Sequence, residues 1–283
     1  MAKRKKKNKY QDIRKMVTAG SWLALVMLVT FFVGRYFLSC KACNRDHDSG
    51  KVTSTCKGLD KVILPKNIKN VTKQYKGFII YFNPEYHIPN CVSYELTGTE
   101  TEGDVPRFNS FATDPNIKGS ANPWDYTRSG YDRGHMAPAA DMKWDQQAME
   151  ESFYMTNVCP QIHALNDGGW QKLEKHVREW AERDSAIIVI TGPILSADMA
   201  TIGDIGVAVP QAFFKVVLAP YTNPVRAIGF IYPNRSCKGG IKPYAVSVDE
   251  VEKQTGLDFF SALSDDVENK VESECNVNQW QQR

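Results

Sequence analysis

Six residues, PYTNPV (220–225), separate two strand-like runs, AVPQAFFKVVLA (208–219) and RAIGFIYP (226–233). A parallel strand pair needs a crossover of about a dozen residues or more, whereas an antiparallel pair closes through a short turn. The gap therefore favours antiparallel neighbours. AIIVITG (186–192) precedes them, and GFIIYF (77–82) and CVSYEL (91–96) lie upstream. All are rich in β-branched and aromatic residues and bounded by Pro, Gly or Asn. Helical patterns occupy DQQAMEESFY (145–154) and GWQKLEKHVREWAERD (169–184). In the second, Trp170, Leu173, Val177 and Trp180 recur at the spacing of one buried face. Ser247-Val-Asp-Glu250 reads as a capping box that opens a later helix. Strands and helices in segregated runs predict an α+β domain, and no internal repeat is visible.

The N-terminus follows a different rule. Residues 1–15 hold eight Lys/Arg against one Asp, a local charge of +7. Against a whole-chain +3, that leaves −4 for residues 16–283, so a polyanion would be gripped by a local cluster of cations, not an overall field. The stretch MVTAGSWLALVMLVTFFVG (16–34) is uncharged between Lys15 and Arg35. A helix of nineteen residues rises about 28 Å, close to the hydrocarbon thickness of a bilayer. A nucleic-acid-binding arm explains the charge and a buried core helix explains the apolar run, but the positive-inside rule explains their adjacency. The expectation is a basic cytoplasmic segment at 1–15 and an uncleaved transmembrane signal anchor at 16–38. A polar linker at 39–66 would then lead to a globular domain at 67–283. That domain would lie outside the cytoplasm, in a bacterial periplasm or at the cell surface. The seven cysteines suit export, and their odd number leaves at least one free, lipidated (Cys40) or paired between molecules. Cys40-x-x-Cys43 with His47 and Cys56 mimics a zinc spacing. The flanking NRDHDSGKVTST offers no hydrophobic residue but Val52 to build a knuckle around, which argues against zinc.

Chemistry concentrates in YDRGHMAP (131–138) and TNVCPQIHALNDGGWQKLEKHVREW (156–180). Together they supply Asp132, Arg133, His135, Asn157, Asn166, Glu174 and Arg178, the parts that phosphodiester hydrolysis needs. A neutral imidazole can take a proton from water at neutral pH. A hard divalent cation takes oxygen ligands such as an amide and a carboxylate, and guanidinium groups hold phosphate in a fork. Glu174 and Arg178 are four apart on the expected helix, and Asn166 lies just before its positive end. Each part has an ordinary reading too. Glu174–Arg178 is more often a surface ion pair, Asn166 a turn or cap, Asp132–Arg133 a solvated pair, and a lone His structural.

The blocks DRGH, TNVCPQ and LNDGGWQKLE occur in that order with compatible gaps. In this the chain resembles the DNA/RNA non-specific endonucleases, the ββα-metal nuclease family. Weaker echoes follow in ITGPI (190–194) and VPQAFFKVV (209–217), so the likeness spans roughly 67–275. It implies a ββα-metal fold with a central antiparallel sheet flanked by helices. His135 would be the general base and Asn166 the direct ligand of Mg²⁺, with Mn²⁺ or another divalent cation as substitutes. Glu174 would act on the metal through water, and Asp132 would orient the site from behind. Arg133 and Arg178 would clamp phosphate, with Arg107 of VPRFNSFATDP as a further upstream arginine. Asn157 would support the site by hydrogen bonding. Asp167 stands where the family often has Gln, and Cys159 is expected to be a small buried residue. The substrates implied are DNA and RNA, cut to 5′-phosphate and 3′-hydroxyl ends, and the likeness admits a homodimer. Two other readings are a non-catalytic nucleic-acid-binding protein and a phosphodiesterase for small substrates.

Overall fold

A computed structural model describes residues 71–281. All of them lie in one unit, Val52–Arg283. The expected basic segment, anchor and linker fall outside the described residues, among which no helix is long and apolar enough to cross a membrane.

The strands are β1 (Val71–Gln74), β2 (Ile79–Asn83), β3 (Ile88–Thr97), β4 (Asp132–His135), β5 (Val158–Gln161), β6 (Ala186–Ile194), β7 (Thr201–Ile202), β8 (Val207–Ala208), β9 (Ala212–Ala219), β10 (Arg226–Pro233) and β11 (Ala245–Val246). The helices are α1 (Gly98–Thr101), α2 (Gln146–Glu151), α3 (Gln171–Asp184), α4 (Val248–Thr255), α5 (Asp265–Ser273) and α6 (Val277–Gln281). Seven strands form one sheet in the order β1-β2-β3-β6-β9-β10-β11, and every neighbouring pair is antiparallel. The PYTNPV turn joins β9 to β10 as its length requires. The 208–219 run is not one strand: it divides into β8 and β9 around Pro210, which has no N–H for a ladder.

The central strands are apolar on both sides because both faces of the sheet are covered. Val189, Phe213, Val217 and Phe230 face one cluster with Trp170, Leu173, Val177 and Trp180, the expected buried stripe of α3. Ile188, Ile190, Phe214 and Val216 face the other cluster with Val248 and Val251 of α4 and Val271 of α5. Each such fully buried side chain contributes about 1.5–3 kcal/mol. The helix expected over 145–154 covers only 146–151. Asp145 caps it by accepting from the Ala148 N–H, and the chain then turns so that Phe153 enters the core. Ser247 caps α4 as its sequence predicts, accepting from the Glu250 N–H. Before α3 the chain makes a wide π-type turn over Leu165–Trp170, broken at Gly168 (φ −123°, ψ −106°).

The cysteines among the described residues, Cys91, Cys159, Cys237 and Cys275, are all free. Cys159 is fully buried and burial pushes its thiol well up, so it is a packing residue and not a nucleophile.

Candidate active site

The DRGH and VCPQ segments pair as the two-stranded ribbon β4–β5, with Arg133 opposite Pro160 and His135 opposite Val158. The glycine of DRGH sits within a strand, and a Cβ there would lie 2.0 Å from the end of the buried Gln161 side chain, which would have to move. The ribbon, the turn before α3 and the first two turns of α3 enclose a cleft of about 560 Å³. Every predicted site residue except Asn157 lines it: Arg107, Asp132, Arg133, His135, Asn166, Glu174 and Arg178.

His135 is 8 % exposed, with its ring between Phe111 (5.1 Å between centroids) and Phe153 (4.9 Å, edge to face). Nε2 is buried without a hydrogen-bond partner, which leaves Nδ1 as the nitrogen to meet the cleft. Burial, and then the charge of Arg107, push the imidazole down to about 3. The ring is therefore neutral and able to accept a proton throughout the neutral range. Asn157 is fully buried and acts from behind. Its side chain accepts from the Ala137 N–H (2.9 Å) and donates to the Ala137 and Ser152 carbonyls (2.9 Å each), fixing the chain that leaves His135.

Asp132 accepts from the Nδ2 of Asn166 (3.0 Å) and pairs with Nδ1 of His163 (2.8 Å). A carboxylate can only accept, so this contact settles which way the Asn166 amide points and leaves its Oδ1 free for a ligand. His163 was not expected; it is exposed, and the Asp132 hydrogen bond raises it above its ordinary value. Asp167 also lines the cleft but is exposed and accepts from Gln171 (3.2 Å).

Arg178 does not form the ordinary surface pair with Glu174. Its Nη1 donates to Asp141 (2.7 Å), a carboxylate with no exposure that also accepts from Tyr94 (2.8 Å). Burial pushes Asp141 up while Arg178 and Tyr94 pull it back; Arg178, which burial alone would push down, is held above its ordinary value by Asp141. Lys215 of β9 completes the group beneath the cleft. It has no exposure, its Nζ has no hydrogen-bond partner, and it lies 4.7 Å over the Trp170 ring. Burial pushes Lys215 down and Glu174 up, and each pulls the other back toward its charged form. Asp141, Tyr94 and Lys215 are thus a buried support for Glu174 and Arg178 of α3. The one sequence signal for Lys215 is a lone cation in a run that is apolar on both sides.

Arg133 is held tightly. Its Nη2 donates to the Pro123 carbonyl (2.5 Å), its Nε is buried without a partner, and it lies over the Phe111 (5.5 Å) and Tyr126 (5.9 Å) rings. Nη1 and the second hydrogen of Nη2 remain for a phosphate. Arg107 is exposed and lies 5.1 Å over the Phe153 ring, beside His135.

The sequence profile of the family described as "DNA/RNA non-specific endonuclease" matches residues 57–266. Among curated proteins, the zebrafish (Danio rerio) "Nuclease EXOG, mitochondrial" is 33% identical over 207 residues, covering 67% of this chain and 60% of that protein. The human "Endonuclease G, mitochondrial" is 31% identical over 203 residues, covering 66% and 68%. The chain spans about three fifths of the length of the EXOG nucleases it matches. Among solved structures, one titled "Crystal structure of the EndoG/EndoGI complex: Mechanism of EndoG inhibition" superimposes with a TM-score of 0.68. It is 28% identical, covering 72% of this chain and 90% of that one.

Proposed function

The chain belongs to the DNA/RNA non-specific endonuclease family, and on that premise we propose that its cleft hydrolyses phosphodiester bonds of DNA and RNA to leave 5′-phosphate and 3′-hydroxyl ends. The observation that carries the proposal is a neutral buried imidazole sharing one cleft with an amide oxygen, a carboxylate and three arginines. His135 takes the proton of the attacking water through Nδ1. Asp132 holds the Asn166 amide by its nitrogen, so that Oδ1 is presented to the cleft. Arg107, Arg178 and Arg133 bind the non-bridging phosphate oxygens and offset the charge that grows on them.

Asn166 Oδ1 and the Glu174 carboxylate are hard oxygen donors and fit Mg²⁺, with Mn²⁺ as a substitute. When bound, such an ion supplies Lewis-acid stabilisation of the phosphate and the departing oxygen. Contacts of this kind grip the backbone and not base edges, so sequence preference should be weak. Plasmid DNA and RNA are expected to be cut far faster than bis-p-nitrophenyl phosphate at equal ester concentration. Equal or faster turnover of the small ester would instead favour a small-substrate phosphodiesterase.

We infer further that residues 16–38 anchor this domain outside the cytoplasm, supported by the basic 1–15 segment that flanks the apolar run. Protease added to intact expressing cells should then remove the 67–283 domain. Its survival until the cells are lysed would contradict that topology.

A further inference from the structure

The face of the sheet away from the cleft is covered by α4 and α5, and their contact carries a concentration of negative charge. Asp249 and Glu252 lie three apart on α4, so they share one side of that helix. Glu272 comes from α5. One oxygen from each of the three carboxylates lies within 4.8 Å of the other two. Glu272 is only 6 % exposed, and its Oε1 is buried with no hydrogen-bond partner. A buried carboxylate without a partner, set against two others, is a costly arrangement unless something positive joins it.

We propose that Asp249, Glu252 and Glu272 form a calcium site that clips α4 to α5. The geometry suits the ion. Oxygens held about 2.3–2.6 Å from a common centre lie no more than about 4.6–5.2 Å apart, and these three, within 4.8 Å of one another, suit the longer of those bonds. Calcium accepts several protein carboxylates in an irregular shell, whereas magnesium keeps most of its waters and takes one or two. Glu252 is already oriented, since its Oε1 accepts from the Phe259 N–H (2.7 Å) and its other oxygen remains for the ion. The surrounding field agrees. Glu268 and Asp258 lie near enough to add to the negative field at Glu272. A divalent cation reverses it. Val248 and Val251 of α4 and Val271 of α5 pack on the sheet beneath, so an ion here would tie the cover of that face together.

The test is thermal unfolding of the full 283-residue chain in detergent micelles, with calcium chloride as the only added divalent salt and chelator as the baseline. The wild type is expected to gain several degrees in Tm as calcium rises, and less from magnesium at the same concentration. Asp249→Asn, at an exposed position, should fold normally and bind calcium at least tenfold more weakly by titration calorimetry. Glu272→Gln should lose the same response, and in chelator it should melt no lower than the wild type, because a repelled carboxylate has been removed. No rise in the wild type would overturn the site. So would a rise that persists undiminished in both variants, which would put the ion elsewhere. Neither readout depends on nuclease activity.

Discussion

Replacing His135 with alanine is expected to lower the rate of DNA and RNA cleavage by a factor of about 10²–10⁴, the range associated with losing a positioned general base. The fold should survive, because the ring makes no hydrogen bond and its contacts are with Phe111 and Phe153. A nicking assay on soluble protein with wild-type circular dichroism separates lost chemistry from lost structure. Wild-type rates in the variant would remove His135 from the mechanism.

The same residue makes a pH prediction. Its folded value lies below the ordinary 6.5, driven first by burial and then by Arg107. The imidazole therefore contributes stability that is complete above about 6.5 and is lost as pH falls toward its folded value. In Arg107→Ala the His135 ring proton resonance should titrate at a higher pH than in the wild type. An unchanged midpoint would mean that Arg107 does not act on the base.

Asp141→Ala has the second large expected effect, and it falls on stability as well as rate. The carboxylate has no exposure and is the partner of both Arg178 and Tyr94, so its loss strands a largely buried guanidinium. Breaking a buried pair from one side costs about 3–5 kcal/mol. Arg178 is 21% exposed and can recover some hydration, which places the expectation near the lower end, about 3 kcal/mol. Urea unfolding would show this as a lower midpoint at an unchanged slope. Cleavage should fall too, since Arg178 loses the contact that aims it into the cleft. A change within about 0.5 kcal/mol, the range of ordinary surface substitutions, would contradict the role given to Asp141.

The part of the site that could be read from sequence is the part written in consecutive blocks. DRGH, TNVCPQ and LNDGGWQKLE name the residues of the cleft, and the helical period of 169–184 brings Glu174 and Arg178 to one side of α3. The strands at 186–192 and 226–233 were legible because both sheet faces are covered and the runs are largely apolar. What supports the cleft was not legible. Tyr94 lies on β3, Asp141 between the two strands of the ribbon and Lys215 on β9, so they meet only through the pairing of β3, β6 and β9 and the packing of α3 on top. The ribbon itself was missed because DRGH is short and polar and its partner VCPQ lies far downstream in the sequence. The partner of Arg178 was hidden for a similar reason: its helix neighbour Glu174 is visible in sequence, while Asp141 is 37 residues away.

The central claim is that this one cleft hydrolyses the nucleic-acid backbone with the help of a cation held at Asn166 and Glu174. Purified 67–283 protein incubated with supercoiled plasmid and with RNA, each with Mg²⁺ and with Mg²⁺ plus excess EDTA, tests it most directly. The account predicts nicking of the plasmid and degradation of the RNA, both stopped by EDTA and restored by added Mg²⁺. Cleavage that continues unchanged in EDTA, or active-site-intact protein that cuts neither polymer, would contradict it.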